Sequence, residues 1–238
     1  MELSIARRLS EGVGSYLHYS FCCNKAGLFN EDFLKFSVGD ILSTVLTRID
    51  GARVYSNYKH PALNQIKKKG ASRRVDFALI NRHVEKTDAK NVFIEAKWAG
   101  SSHCKLDTII YDLYRLAFIK KQHPESNCIF LIAGQSKDLN TLLSAPPFRF
   151  PDGTKLLNTT TNEKRFKLSL DNKYHRDIMK KSVTYAHNKF GVSLPLGFTT
   201  VCTKVYPIQT EDETLRFQSV AWEIKSLDSH NLPIKWYI

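Results

Sequence analysis

The chain has no long apolar run, no internal repeat and no low-complexity linker. Because no segment is apolar enough to cross a bilayer or to act as a secretory leader, we expect a cytoplasmic protein without membrane contact. The five cysteines are an odd number without C-x-x-C spacing, which argues against a disulfide scaffold and a zinc ribbon. We therefore expect reduced thiols.

Acidic residues are the scarcer charge, since 35 Lys and Arg stand against 23 Asp and Glu, a net charge of +12. This balance favours a polyanionic partner such as nucleic acid. One basic cluster precedes a predicted strand and is a candidate contact for a phosphate backbone, although a solvated loop is the alternative. The cluster consists of Lys67, Lys68, Lys69, Arg73 and Arg74.

Two apolar segments contain charged residues where a buried strand would have none. Residues 73–80 read RRVDFALI and residues 91–98 read NVFIEAKW, and both are rich in β-branched and aromatic residues. The polar stretch between them predicts an antiparallel hairpin that brings Asp76 near Glu95. Because side chains alternate along a strand, Glu95 and Lys97 project from the same face.

Charges in apolar strands are costly unless they are paired or bind a metal ion. Mg²⁺ prefers one or two carboxylates together with water and phosphate oxygens; Asp76 and Glu95 supply the carboxylates, and the Ala96 carbonyl could add a ligand. Lys97 could orient or activate the attacking water and offset charge on the phosphate. The pattern indicates metal-dependent phosphodiester cleavage, and a plain Asp/Glu/Lys salt pair is the alternative.

Helical periodicity surrounds this hairpin. Residues 29–49 predict a helix with Asn30 as its N-cap, and residues 105–122 predict a second one. Residues 128–133, CIFLIA, predict a strand that is buried on both faces. The apolar positions of the two helices are Phe33, Ile41, Leu42, Val45, Leu46 and Ile49, then Ile109, Leu113, Leu116 and Ile119 or Lys120.

Residues 30–135 resemble the PD-(D/E)XK nuclease superfamily in the order of these elements and in the placement of their charges. The resemblance implies a restriction-endonuclease-like α/β core with a central mixed β-sheet flanked by helices. In that core a helix precedes three antiparallel strands, and a second helix and a further strand follow. The catalytic Asp lies on the second strand and E-x-K on the third, although Val75 stands here where the family often has Pro.

The resemblance implies a catalytic set of Asp76, Glu95 and Lys97, with Mg²⁺ or Mn²⁺ bound by Asp76, Glu95 and the Ala96 carbonyl. Glu31 is similar to the first-helix Glu that faces the metal in many relatives. An acidic residue in a first helical turn also stabilises the helix dipole, so Glu31 has a second explanation.

Charged residues of the second helix are expected to form mainly its solvated face. The alternative is that Tyr111, Asp112 and Arg115 touch the site or the phosphate backbone, and Arg115 is retained as a candidate nucleic-acid contact. A second E-x-K, at Glu223 and Lys225, is expected to be no active site because no amphipathic helix follows it.

The predicted organisation is a nuclease core with N-terminal helices over residues 1–135 and an extension over residues 136–238, within one compact domain. In the extension, residues 173–191 predict a basic amphipathic helix that ends at a glycine. Residues 196–208 and 215–226 predict a β-hairpin that extends the sheet or forms a dimer edge.

Three functions are compatible with this sequence. The first is a metal-dependent endonuclease in restriction or anti-phage defence, acting on DNA as a homodimer or within a larger complex; the family resemblance alone favours DNA over RNA. The second is a catalytically inactive nuclease fold that serves as a DNA-binding or scaffold subunit. The third is a basic protein that binds another protein, with its carboxylates merely salt-paired.

Overall fold

Helices and strands alternate along most of the chain. The computed structural model describes residues 3–46, 51–64, 73–81, 91–149, 153, 163–190, 193–208 and 217–230. The helices within these residues are α1 (Ile5–Cys22), α2 (Glu31–Leu46), α3 (Leu106–Gln122), α4 (Ser136–Leu143) and α5 (Lys173–Phe190). The strands are β1 (Ala52–Tyr58), β2 (Val75–Asn81), β3 (Val92–Trp98), β4 (Asn127–Gln135), β5 (Glu163–Ser169), β6 (Gly197–Thr203) and β7 (Phe217–Leu227).

The described strands form one mixed sheet in the order β1-β2-β3-β4-β7-β6-β5. Neighbouring strands are antiparallel except β3 and β4, which run parallel and are joined through α3. A parallel pair requires such a crossover, because a tight turn can only reverse the chain. The predicted α/β class, with a central mixed sheet flanked by helices, is confirmed.

Each face of the sheet has its own hydrophobic core. Helices α1 and α2 cover one face, where Leu17 and Val38 pack against a cluster that includes Ile94 and Leu131. Helices α3 and α5 cover the other face in a cluster that includes Trp222. Burying one Leu, Ile or Val side chain contributes about 1.5–3 kcal/mol to the free energy of unfolding. Each helical layer therefore stabilises the face of the sheet that it covers.

Helix α2 begins as the sequence predicts and buries part of the predicted stripe. The Phe33 N–H donates to Asn30 Oδ1 at 2.9 Å, which is the expected N-cap. The fully buried apolar positions are Leu34, Val38 and Leu42, whereas Phe33 and Ile41 are only partly buried. Leu42 is therefore buried as predicted, whereas Leu34 and Val38 take the buried positions predicted for Phe33 and Ile41. The side chains at 45 and 46 are outside the described part of the helix, and residue 49 lies outside the described residues.

Helix α3 and strand β4 follow the sequence prediction closely. Ile109, Leu113, Leu116 and Ile119 are all buried on α3. All seven interior positions of β4 are buried as well, as expected for a strand between two helical layers. The predicted strand at 128–133 is therefore confirmed with slightly wider bounds.

The C-terminal residues continue the same sheet across position 135. The predicted basic helix is α5, and β6 and β7 form the predicted antiparallel hairpin. Strand β7 pairs directly with β4, so this hairpin extends the sheet. Beyond it, β5 forms an edge of the sheet and carries Lys164, Arg165 and Lys167.

Two expectations from composition concern thiols and membranes. All five cysteines are free thiols. None of the helices in the described ranges combines the length and the apolar character that a bilayer crossing requires.

Candidate functional site

Strands β2 and β3 separate at the point where their carboxylates lie. The antiparallel register pairs Leu79 with Val92 and ends with Phe77 opposite Ile94, which confirms the predicted pairing of these strands. One residue further along, the Ala96 N–H donates to the Asp76 side chain at Oδ2, 3.0 Å away. The carboxylate thus takes the place of a backbone acceptor, and a fork opens between the two strands.

Glu95 is buried at this fork. Its side chain is 1% exposed, and the Arg115 guanidinium contacts its Oε2 atom. Its other oxygen, Oε1, is buried without a hydrogen-bond partner in the described part of the chain. Burial raises the pKa of Glu95 well above its ordinary value, and the adjacent guanidinium opposes this shift. A carboxylate with one paired and one unpaired oxygen has the capacity for one further ligand.

Lys97 lies on the same face of β3 and points to helix α3. Its Nζ atom is 3.4 Å from Asp112 Oδ2. Burial lowers the pKa of Lys97, but Asp112, Asp76 and Glu95 outweigh this effect and hold the pKa above its usual value. Lys97 is therefore an ammonium ion at neutral pH, suited to stabilising negative charge and unsuited to accepting a proton.

Asp112 and Arg115 enter the site from the middle of α3. They lie three residues apart on the helix, and Arg115 Nη2 is 3.1 Å from Asp112 Oδ1. The side chains of Asp112 and Arg115 are 3% and 14% exposed. The prediction that these charges form a solvated face is wrong, because α3 packs on the sheet at β3 and turns them toward Glu95 and Lys97.

Helix α2 contributes a second ion pair at the rim of the fork. Lys35 Nζ lies 2.8 Å from Glu31 Oε1 and 3.1 Å from Asp76 Oδ1. Burial lowers the pKa of Lys35, but its bonds to Glu31 and Asp76 raise it above the ordinary value overall. Glu31 therefore reaches Asp76 through the Lys35 ammonium.

The site as a whole alternates positive and negative side chains. Four carboxylates surround three cationic groups, which leaves an excess of one negative charge when all are ionised. The carboxylates are Glu31, Asp76, Glu95 and Asp112, and the cations are Lys35, Lys97 and Arg115. This excess, which requires Glu95 to be ionised against the effect of its burial, would favour an added cation at the fork.

The fit of these residues to a divalent ion is partial. In the described ranges no three His, Cys, Asp or Glu side chains converge as a ligand group. Glu95 Oε1 is available, but both oxygens of Asp76 are occupied, one by Lys35 and the other by the Ala96 N–H. Two carboxylates on adjacent strands are enough for Mg²⁺ or Mn²⁺ if Lys35 moves away from Asp76.

The predicted nucleic-acid contacts lie in different surroundings. Arg73 is half-buried; its Nη1 atom donates to the Leu63 carbonyl at 2.7 Å, and its guanidinium lies 5.8 Å from the Phe190 ring centroid. Arg74 is exposed and Arg115 faces Glu95. The three lysines at 67, 68 and 69 lie outside the described residues.

The second E-x-K behaves as an ordinary salt pair. On β7, Lys225 Nζ lies 2.7 Å from Glu223 Oε1 in the same tripeptide. On β3, by contrast, Glu95 and Lys97 each pair with a residue of α3. The tripeptide alone thus does not mark a site; its neighbours on α2 and α3 distinguish the two copies.

Comparisons of this chain with protein-family models, with curated proteins and with solved structures found no match. The fold and the fork define a class, an α/β protein with a seven-stranded mixed sheet and a buried cluster of ionisable side chains on two adjacent strands.

Proposed function

We propose that this protein is a metal-dependent nuclease that hydrolyses DNA phosphodiester bonds, with a restriction-endonuclease-like core and an endonuclease role in restriction or anti-phage defence. The observation that carries the proposal is the fork itself, where Glu95 keeps one buried oxygen without a partner beside Asp76. A buried unpaired carboxylate oxygen is costly, and binding a cation would remove that cost.

The order of the elements supports the same core. Helix α2 precedes the antiparallel strands β1, β2 and β3, and α3 and β4 follow. Asp76 lies on the second of these strands and the E-x-K tripeptide on the third. This is the arrangement that the family resemblance implies.

Asp76, Glu95 and the Ala96 carbonyl would hold Mg²⁺ or Mn²⁺ at the fork. When bound, such an ion supplies charge stabilisation on the phosphate and lowers the pKa of a coordinated water. Arg115 fixes the orientation of Glu95. The Lys97 ammonium stabilises the negative charge that develops on the phosphate oxygens.

Lys35 sets the condition for activity. Its ammonium group stands 3.1 Å from Asp76 Oδ1, where it neutralises part of the carboxylate charge. Its side chain is 31% exposed, so it is able to swing away while it remains near Glu31. Departure of Lys35 from Asp76 would accompany metal binding.

Cleavage of supercoiled, linear and single-stranded DNA with Mg²⁺, Mn²⁺ or EDTA tests the proposal. We expect metal-dependent cleavage that falls by about two orders of magnitude or more in Asp76→Asn, Glu95→Gln and Lys97→Met. Each replacement has nearly the same shape as the original side chain. A lower cleavage rate therefore reports the loss of charge and not a loss of packing.

The second E-x-K provides matched controls for these variants. Glu223→Gln and Lys225→Met remove the same groups from the same tripeptide spacing on β7 and should leave cleavage unchanged. Cleavage that survives in Asp76→Asn, or that disappears equally in Glu223→Gln, contradicts the assignment of the site.

A second function is favoured by one observation. Asp76 and Glu95 already have cationic partners in Lys35 and Arg115, so the fork is largely charge-compensated without a metal ion. Charge compensation by these side chains is sufficient for an inactive nuclease fold that binds DNA as a scaffold subunit. Calorimetric titration with Mn²⁺ separates the two functions, since the nuclease must bind the ion at the fork and lose that binding in Glu95→Gln.

A further inference from the structure

A groove of about 530 Å³ lies between helices α3 and α5, outside the carboxylate fork. Its walls include Tyr111 and Thr108 from α3 and Tyr185 and Lys181 from α5. Such a volume accommodates a nucleobase with part of its sugar, and the walls combine aromatic rings with polar groups.

Two tyrosines form the aromatic part of the groove. Their ring centroids are 5.3 Å apart, and the ring planes are inclined at 57°. Tyr111 is supported from beneath by Phe190, whose ring stacks at 5.5 Å. Tyr185 is 54% exposed. The pair is thus a partly rigid aromatic surface open to solvent.

The charge around this surface is mainly positive, although Asp107 also lines the groove and its Oδ2 atom lies 3.8 Å from Lys181 Nζ. Helix α5 has five Lys or Arg residues and one acidic residue, Asp177. Lys189 Nζ lies 5.8 Å from the Tyr185 ring centroid, and the Lys181 side chain at the groove is 87% exposed. An anionic strand that entered the groove would meet cations beside the rings.

The groove and the proposed active site share helix α3. Tyr111 and Arg115 are one helical turn apart, and the Arg115 guanidinium lies 5.7 Å from the Tyr111 ring centroid. Arg115 in turn contacts Glu95. A ligand held against Tyr111 therefore lies one helical turn from the residue that orients Glu95.

We propose that the groove binds an unpaired nucleotide of the DNA strand, with its base stacked on the exposed Tyr185 ring beside Tyr111 and its phosphate near Lys181. The rings select an unpaired base because a paired base in a duplex has its faces covered by its neighbours. The inference rests on the proposed nuclease function and narrows its substrate class to DNA with a single-stranded stretch beside the cleaved bond.

Binding in EDTA tests the groove without any cleavage. The measurement is fluorescence anisotropy of a labelled short oligothymidylate, compared with a duplex and with the RNA strand of equivalent sequence. We expect the single DNA strand to bind most tightly, and Tyr185→Ala to weaken it about fivefold or more. Tyr185→Phe should bind as the unaltered protein does, because it retains the ring.

Tyr19 supplies the matched control. It is an exposed tyrosine, 64% exposed, on α1 in the helical layer that covers the opposite face of the sheet. Tyr19→Ala should leave single-strand binding unchanged. An equal loss in Tyr19→Ala and Tyr185→Ala, tighter binding of duplex or RNA, or no effect of Tyr185→Ala overturns the inference.

The outcome is separable from that of the nuclease proposal. If the protein cleaves DNA with metal but Tyr185→Ala does not affect strand binding, the nuclease proposal stands and the nucleotide site in the groove is refuted. Binding that depends on Tyr185 without any cleavage by the unaltered protein keeps the nucleotide site and removes the nuclease function.

Discussion

Arg115 balances the most deeply buried carboxylate of the fork. Loss of one member of a buried ion pair leaves the other charge uncompensated, at a cost of about 3–5 kcal/mol. We therefore expect Arg115→Met to lower the free energy of unfolding by about 3 kcal/mol or more, because Glu95 is only 1% exposed. Urea denaturation near neutral pH measures this change.

The double variant Glu95→Gln/Arg115→Met tests whether the loss comes from the stranded charge. With both charges removed, the protein should be more stable than Arg115→Met alone. Lys225→Met is the comparison for a half-exposed pair, since the Lys225 side chain is 41% exposed and that of Glu223 is 8% exposed, and it should cost less than Arg115→Met. Strictly additive losses in the double variant would contradict the pairing.

The buried His60 side chain should lower the free energy of unfolding in mild acid. Burial, with a smaller effect from His123, lowers the pKa of His60 from 6.5 to about 4. The folded state therefore binds this proton less readily than the unfolded state does. The contribution of His60 is complete above pH 6.5 and is lost as the pH falls from 6.5 toward 4.

His60→Asn should reduce this acid sensitivity in urea denaturation series across that pH range. In the unaltered protein the Ala62 N–H donates to His60 Nδ1 at 3.1 Å. Asparagine keeps an acceptor for this N–H but has no titratable group. His103→Asn removes an exposed histidine and should keep the original pH dependence. Identical pH profiles for both variants would disprove the role of His60.

At the level of residues, the predicted hairpin and strand alternation were enough to place Asp76 near Glu95 and to put Glu95 and Lys97 on one face. They were not enough to predict the partners of these side chains. Lys35 follows Glu31 by four residues. A Glu and a Lys at this spacing are common on exposed helices, so the spacing does not show that the pair belongs to a site. The packing of α2 and α3 on the sheet turns Lys35, Asp112 and Arg115 toward the fork.

Helix α1 fits closely against the C-terminal half of the chain at one glycine. A Cβ atom at Gly14 would lie 2.4 Å from the Tyr206 carbonyl oxygen, which belongs to the backbone and cannot turn aside. We expect Gly14→Ala to lower the free energy of unfolding by about 1–3 kcal/mol. Thermal denaturation followed by circular dichroism measures the change.

Gly12, two residues earlier on α1, is the matched control. A Cβ there would meet the Ile41 Cδ1 atom at 3.0 Å, the end of a flexible side chain. Gly12→Ala should be neutral or should stabilise the protein by up to about 1 kcal/mol, because alanine has the higher helix propensity. Equal destabilisation by both replacements would refute a specific contact at Gly14.

At the level of elements, local signals predicted those that have a strong period or a cap. The N-cap at Asn30 and the apolar face of α3 are examples. The resemblance implies a strand before β2, but local signals located neither β1 nor β5, since their sequences, ARVYSNY and EKRFKLS, contain many polar residues. Both are edge strands, and an edge strand has one half-solvated side that weakens the apolar pattern.

The whole molecule depends on pairing between distant parts of the chain. Strand β7 occupies the side of β4 that would otherwise be an open edge, with the register running from Cys128 opposite Ile224 to Gln135 opposite Phe217. We expect a fragment of residues 1–135 to lack cooperative unfolding, because β4 would lose its partner and Trp222 would leave the core. Near-ultraviolet circular dichroism and urea denaturation, compared with the full chain, test this expectation; a fragment that unfolds cooperatively contradicts it.

Strand β5 has a consequence for how copies of this protein behave toward one another. It lies at one end of the sheet formed by the described strands, and its side chains include Lys164, Arg165 and Lys167. Lysine and arginine on an edge strand repel an identical strand that approaches to add to the sheet. The same charges that favour a polyanion therefore protect the protein from aggregation, and a variant that neutralised them would lose solubility before it lost its fold.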